Sequence, residues 1–282
     1  MMTKINLGSW LRGATERLAG SSDAPHVEST VIAAFVLGHP REWLVAHPET
    51  ELFDDQISEM EAFLNRIVNG EPLAYITGRR SFYGLDFQVN PGVLVPRPET
   101  ELLVEGALDW LTDHPDRRKV ADIGTGSGII AISIAKNCPD AQILATDISN
   151  NALETARGNA IDLGVSDRIR FQQTNLLGGI DERFDLILAN LPYIPTTGLE
   201  GLPVARHEPH LALDGGADGL VLIRKLVSQI PQIALPGACM ILEIQYNQGD
   251  QMLHIVNQLP GTPRFSLLKD LAGLPRIVKI QL

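Results

Sequence analysis

The sequence is poor in cysteine, with two in 282 residues. Cys138 and Cys239 lie far apart in the chain and form no CxxC pair, which argues against a disulfide framework and a cysteine-bound zinc site. The histidines show no HxxxH spacing, and His207 and His210 flank a Glu-Pro pair that suits a helix poorly. We therefore expect no metal site.

Basic residues are also scarce. Lys and Arg number 23 against 34 Asp and Glu, which gives a net charge of −11. Acidic residues outnumber basic ones both before and after residue 80, and no stretch forms a basic arm. Because proteins that hold nucleic acid neutralise its phosphates with a basic face, we expect no direct nucleic-acid binding.

Long hydrophobic runs are absent. None approaches the ~20 apolar residues that a membrane span needs, and the N-terminal stretch lacks the apolar segment of a signal peptide. The chain is still 44% hydrophobic, which is enough for a sizeable core. These features predict a cytoplasmic protein with no membrane partner, and they leave its oligomeric state open.

The first part of the chain has the periodicity of helices. Apolar residues recur at three- and four-residue spacing in LGSWLRGATERLA, VESTVIAAFVLG and QISEMEAFLNRIV, which predicts a small helical bundle. Residues 73–96 are richer in β-branched and aromatic residues set between glycines and prolines, which favours a β-hairpin linker. We therefore expect a helical domain over residues 1–72, the linker over 73–96 and a larger domain over 97–282.

In the larger domain, apolar strands alternate with helices. The predicted strands include VADIG, ILATDI, IRFQQTN, FDLILAN and ACMILEI, and helices such as IIAISIAKN lie between them. The C-terminal FSLLKDLAGLPRIVKIQL adds two strands around a turn. This order predicts an α/β fold with a parallel sheet covered by helices on both faces.

A glycine-rich loop, DIGTGSG from Asp122 to Gly128, follows the first of these strands and opens a helix. Its spacing is not the dinucleotide fingerprint, which would need glycine in place of Ile129, and it lacks the Gly-Lys pair of a phosphate loop. The next strand ends in Asp147, whose carboxylate can accept hydrogen bonds from both hydroxyls of a ribose. Together these residues favour an adenosine cofactor without a phosphate cradle, which points to S-adenosylmethionine.

A second chemical signal is the Asn-Leu-Pro-Tyr turn, residues 190–193, at the end of the strand FDLILAN. Strand ends on one side of a parallel sheet meet at the ligand crevice, so Asn190 should face the glycine loop. Its amide oxygen and an adjacent backbone carbonyl can each accept a hydrogen bond from a planar NH2 group, and Tyr193 offers an aromatic face. This arrangement would hold a nitrogen for attack on a methyl carbon.

These motifs give the chain a resemblance to a known family. The segments PRPETELLVE, DIGTGSGIIAISIAK, NLPYIP and HEPHLALDGGADGL resemble the protein-glutamine methyltransferases of the HemK/PrmC type, over roughly residues 70–282. Members of that family methylate the glutamine side-chain nitrogen in the Gly-Gly-Gln motif of peptide chain release factors. The resemblance implies a class I methyltransferase-like fold: a mostly parallel seven-stranded sheet preceded by a small α-helical bundle that recognises the substrate.

The resemblance also assigns roles, with S-adenosylmethionine as cofactor and release factors as protein partners. The cofactor would contact Gly124, Thr125, Gly126, Ser127, Gly128, Asp147, Asn175, Leu176 and Asn190. The glutamine amide would be held, and the reaction catalysed, by Asn190, Leu191, Pro192 and Tyr193. The family usually reads Asn-Pro-Pro-Tyr, so Leu191 is a departure. Glu208-Pro209 and Gly215-Gly216 are expected either to shape the entrance for the substrate loop or simply to cover the crevice.

Other functions remain open at this point. The same turn suits a glutamine in a ribosomal protein, or an exocyclic adenine amino group in RNA or DNA, although the acidic charge disfavours nucleic acid. A non-catalytic adaptor that retained the fold is a further alternative. The intact glycines and Asn190 argue against that alternative.

Overall fold

The computed structural model describes residues 5–282 and divides the chain into two compact units, which meet in sequence between Gly78 and Arg79. The first four residues of the predicted helical domain lie outside the described residues. No helix within residues 5–282 is both long and apolar enough to cross a membrane.

The first unit is helical. Its helices are α1 (Leu7–Leu18), α2 (Pro25–Leu37), α3 (Arg41–Ala46), α4 (Asp54–Val68) and α5 (Leu73–Thr77). The three predicted helical segments correspond to α1, α2 and α4, whose core includes Trp10, Ile32, Met60 and Leu64. The short helices α3 and α5 were not predicted, because five or six residues carry too little periodicity to show.

The segment predicted as a β-hairpin linker is partly helical. Pro72 precedes α5, and Gly78 ends it in the left-handed conformation at φ 70°. This helix buries Ala74, Tyr75 and Ile76. The hairpin itself consists of β1 (Arg79–Phe82) and β2 (Leu85–Gln88), which pair antiparallel.

The second unit holds a seven-stranded sheet, as the sequence predicted. Its further strands are β3 (Lys119–Ile123), β4 (Gln142–Asp147), β5 (Ile169–Gln173), β6 (Phe184–Ala189), β7 (Ala234–Glu243), β8 (Arg264–Lys269) and β9 (Pro275–Gln281). Its helices are α6 (Glu101–Asp113), α7 (Ile129–Asn137), α8 (Asn150–Asp162), α9 (Val221–Ile233) and α10 (Gly249–Val256). The strand order is β5-β4-β3-β6-β7-β9-β8. The first five strands are parallel, and β9 and β8 add antiparallel pairs at one edge.

Alternate residues of each central strand enter two different cores. In β6, Leu186 and Leu188 pack into the core that contains residues of α6 and α7. Ile187 and Ala189 pack into the core that contains residues of α9 and α10. Both faces of the sheet are therefore buried, which explains why its strands read as continuous apolar runs.

This topology positions the site. Because β3, β4, β6 and β7 are parallel and adjacent, their carboxyl ends meet at one edge of the sheet. The glycine loop follows β3, Asp147 ends β4, Asn190 follows β6 and Glu243 ends β7. The edge thus gathers chain segments that are far apart in sequence.

Candidate active site

One cavity opens at this edge of the sheet. Ten of the twelve residues predicted for the site line it, whereas Gly128 and Tyr193 do not. Further walls come from residues 92–94, Pro96 and Arg97, and from the loop that contains Pro209 and Leu211. The cavity therefore joins the predicted cofactor and substrate segments in one space.

The glycine loop is fixed by hydrogen bonds to the neighbouring strand. The backbone N–H groups of Gly124 and Thr125 both donate to the Thr146 carbonyl, at 2.8 and 2.9 Å. Beneath the loop, Asp122 accepts from the Thr125 hydroxyl at 2.6 Å. Burial raises the pKa of Asp122 to about 7, and its Oδ1 atom has no hydrogen-bond partner.

Two of the glycines are required for different steric reasons. Gly124 has φ 73°, and a Cβ atom there would lie 2.9 Å from Cδ2 of Leu191. Gly128 has φ 85°, and its Cβ would lie 2.9 Å from Ile132 and 3.1 Å from the Ala156 side chain. Gly128 thus allows α7 and α8 to approach closely. Its role is in helix packing, and it does not line the cavity.

Asp147 connects the glycine loop to the helix that follows β4. Its Oδ2 atom accepts from the Gly126 N–H, and its Oδ1 atom accepts from the Ser149 N–H, both at 2.9 Å. Burial raises the pKa of Asp147. A carboxylate has about four acceptor positions, so the group still has acceptor capacity for a ligand in the cavity after its backbone bonds.

Asn175 and Leu176 lie after β5 and line the same cavity. Asn175 is exposed, whereas Leu176 is buried and adopts φ 55°, a left-handed conformation that residues other than glycine rarely occupy. The Leu176 carbonyl accepts from the Thr146 hydroxyl at 3.0 Å, which stabilises this conformation. Leu176 contributes an apolar side chain to the cavity lining.

Asn190 is held by two residues from distant parts of the chain. Its Nδ2 atom donates to the Thr100 hydroxyl at 3.0 Å and to Oε2 of Glu243 at 2.9 Å. Because the NH2 group of the amide is turned toward these two acceptors, the Oδ1 acceptor lies on the other side of the amide. Asn190 lines the cavity, so this acceptor is what the residue has to offer a ligand.

The other three residues of the turn have different surroundings. Leu191 lines the cavity, and its side chain is buried in the core that also contains Leu176 and packs against Gly124. Pro192 lines the cavity. Tyr193 donates its hydroxyl to Oε1 of Glu243 at 3.2 Å, and burial raises its pKa. An aromatic contact between Tyr193 and substrate stays a prediction.

An ion pair between a partly exposed arginine and a buried glutamate connects two walls of the cavity. Glu208, which is 4% exposed, accepts from the guanidinium of Arg97 at 2.5 Å and from the Val95 N–H at 3.0 Å. A Cβ atom on Gly215 would lie 2.7 Å from the Pro192 carbonyl, so the loop after Glu208 also packs closely on the turn. Both expected entrance pairs therefore contact cavity-forming segments.

Sequence reasoning missed Thr100, Glu243 and the partnership of Arg97 with Glu208. A signal for Glu243 was present, since it is an acidic residue within the otherwise apolar strand ACMILEI. Carboxylates are rarely buried without partners, so such a residue marks a polar network. No comparable pattern distinguishes Thr100 from any other helix-starting threonine.

The buried position of Leu191 leads to a stability prediction. Leu191→Ala should lower the free energy of unfolding by about 2–5 kcal/mol, because a side chain that is 4% exposed leaves a cavity behind. Leu211→Ala is the matched control: Leu211 also lines the site but is 58% exposed, so a change within about 0.5 kcal/mol is expected. Urea denaturation followed by circular dichroism measures both, and equal changes would contradict the assigned role of Leu191.

Comparison with known proteins identifies related families and sequences. The PrmC N-terminal domain family matches residues 9–78, and the methyltransferase small domain family matches residues 99–200. A release factor glutamine methyltransferase of Moorella thermoacetica is 39% identical over 275 residues, which cover 96% of this chain and 97% of that protein. The protein of the same name from Bradyrhizobium diazoefficiens is 38% identical over 256 residues, with coverages of 89% and 86%.

A solved structure supports the fold. The hMettl16 catalytic domain in complex with MAT2A 3'UTR hairpin 6 superposes with a TM-score of 0.55 at 16% identity, covering 74% of this chain and 79% of that one. The predicted class I methyltransferase-like fold is confirmed. The resemblance seen in the sequence motifs is confirmed as well, and the chain belongs to the family of release factor glutamine methyltransferases.

Proposed function

We propose that this protein transfers a methyl group from S-adenosylmethionine to the side-chain amide nitrogen of the glutamine in the Gly-Gly-Gln motif of peptide chain release factors. The observation that carries the proposal is the orientation of the Asn190 side-chain amide. Its NH2 group donates to Thr100 and Glu243, so its Oδ1 acceptor is turned away from them and remains for the cavity, next in sequence to the backbone of Leu191. A primary amide has two hydrogens to donate, and two neighbouring acceptors match it.

The cavity suits the cofactor. Asp147 retains acceptor capacity for the two ribose hydroxyls, and the glycine loop leaves space where side chains would obstruct a ligand. Leu176 and Ile148 line the cavity near Asp147 and offer apolar contacts to a flat base. When bound, S-adenosylmethionine supplies an electrophilic methyl carbon on a sulfonium.

The residues of the chain contribute mainly by positioning. The Asn190 oxygen and the Leu191 carbonyl would accept the two hydrogens of the substrate amide and hold its nitrogen in line with the methyl carbon. They would also stabilise the positive charge that develops on the nitrogen as its bond to carbon forms and the carbon–sulfur bond breaks. The product then loses one proton to water, so the site needs no strong base.

The helical unit is proposed to bind the protein substrate away from the reacting atoms. Among its described residues, Val45 and Phe53 are large apolar side chains that are 72% and 71% exposed. We propose these two side chains as contact points for the substrate protein. We propose a cytoplasmic location, because the proposed substrate acts on the ribosome.

The direct test is mass spectrometry of an unmethylated release factor after incubation with the protein and S-adenosylmethionine. One added methyl group on the glutamine of the Gly-Gly-Gln motif is the expected result. An unmodified glutamine, with cofactor binding still measurable by calorimetry, would overturn the proposed substrate but keep the cofactor. Methylation of a ribosomal protein or of an adenine in the same assay format would identify the alternative target.

A further inference from the structure

We propose that Glu243 is a positioning residue that sets which way the side-chain amide of Asn190 faces; this inference rests on the proposed function. Glu243 ends β7, next to β6 in the sheet, and its side chain is almost completely buried. It accepts hydrogen bonds from three side chains, those of Thr100, Asn190 and Tyr193. Two of these three donors lie in the Asn-Leu-Pro-Tyr turn.

The arrangement of the hydrogens fixes the orientation. Thr100 donates its hydroxyl hydrogen to Oε2 of Glu243 at 2.7 Å, so its oxygen faces Asn190 as an acceptor. Oε2 of Glu243 is also an acceptor for Asn190. An amide oxygen turned toward these two atoms would meet only acceptors, whereas Nδ2 satisfies both.

The reverse orientation would oppose catalysis. It would present N–H hydrogens of Asn190 to the N–H hydrogens of the substrate amide, and two donors repel each other. Burial raises the pKa of Glu243 to about 7, so above neutral pH the carboxylate is an acceptor at both oxygens. Glu243 thus acts through Asn190 and needs no contact with the substrate.

The test is a cycle of variants, measured as single-turnover rates of release-factor methylation. Glu243→Met removes the acceptor but keeps an unbranched side chain of similar length, and should lower the rate by about 10²-fold. Asn190→Ala removes the group that Glu243 orients. If Glu243 acts through Asn190, the double variant should be no slower than Asn190→Ala alone, within about threefold. An additional loss of about 10²-fold in the double variant would overturn the inference, because the two effects would then be independent.

Two more variants separate the acceptor from the charge. Glu243→Gln should recover the rate to within about tenfold of the wild type, because the Gln oxygen can accept from Thr100 and Asn190 while its NH2 donates to the Tyr193 oxygen. Glu99→Gln is the matched charge control, since Glu99 has a side chain that is 40% exposed and acts on Glu243 only through its charge. A Glu243→Gln variant that folds but has no methyltransferase activity would overturn the role of Glu243 as a hydrogen-bond acceptor.

Two further measurements, cofactor affinity and NMR, show whether the Glu243 variants affect only the methyl-transfer step. Cofactor dissociation constants should stay within about threefold of wild type in the Glu243 variants, because the loss is in the rate of transfer. If the wild type fails to methylate the release factor, the proposed function fails, and NMR then decides the inference alone. The Asn190 NH2 signals, identified by their loss in Asn190→Ala, should exchange with water more slowly in wild type than in Glu243→Met. Equal exchange in the two proteins would overturn the inference.

Discussion

Replacement of Asn190 by alanine is expected to lower the rate of release-factor methylation by about 10²–10³-fold. The substitution removes the Oδ1 acceptor that Thr100 and Glu243 leave available at the cavity. The substrate amide would then be held by one backbone carbonyl and would rotate out of line with the methyl group. Single-turnover kinetics with saturating S-adenosylmethionine measure the loss without interference from product release.

The fold and the cofactor site should survive this change. Glu243 keeps the hydroxyl donors of Thr100 and Tyr193, so its carboxylate does not lose all partners. Tyr193→Phe is the matched control in the same turn: it removes one hydrogen bond to Glu243 but leaves Asn190 in place, and a loss of less than about tenfold is expected. If Asn190→Ala methylates the release factor as fast as Tyr193→Phe does, the proposed mechanism is wrong.

The central strands of the sheet could be predicted from the sequence because each one is a short apolar run that is visible without knowledge of the rest of the fold. Residues Leu186–Leu188 of β6 and Met240–Leu242 of β7 are apolar on both faces of the sheet, and α9 directly precedes β7 in sequence. The two C-terminal strands were also predicted correctly, and they form the antiparallel edge. The short helix α10 was missed, since its eight residues follow a strand without a pronounced break.

The hydrogen-bond network of the site was beyond sequence reasoning. Asn190 forms hydrogen bonds with Thr100 and Glu243, which are separated from it by 90 and 53 positions in the sequence. Glu208 bonds to the guanidinium of Arg97, at a separation of 111 positions. No periodicity connects residues at such separations, because these contacts depend on the order of the strands. The glycine loop and Asp147 were accessible, since each directly follows or ends a recognisable strand.

Replacement of Asp147 by alanine is expected to raise the dissociation constant for S-adenosylmethionine by about 10²-fold or more. Hydrogen bonds to a charged group contribute about 1.5–3 kcal/mol each, and every 1.4 kcal/mol corresponds to about tenfold in affinity. Two ribose hydroxyls bound by the carboxylate therefore account for at least this loss. Isothermal titration calorimetry measures it directly. Glu154→Ala, an exposed acidic residue on the following helix, is the charge control and should leave the affinity within about twofold.

Part of the loss in Asp147→Ala will come from the glycine loop, because the Gly126 N–H loses its acceptor. The 2′-deoxy analogue of S-adenosylhomocysteine separates the two contributions. Wild type should bind this analogue about tenfold more weakly than S-adenosylhomocysteine itself, whereas the variant should bind both equally. A loosened loop raises the dissociation constants of both ligands by the same factor, so it leaves the ratio of the two constants unchanged. If the variant still discriminates between the two ligands as wild type does, Asp147 does not bind the ribose and serves only to hold the loop.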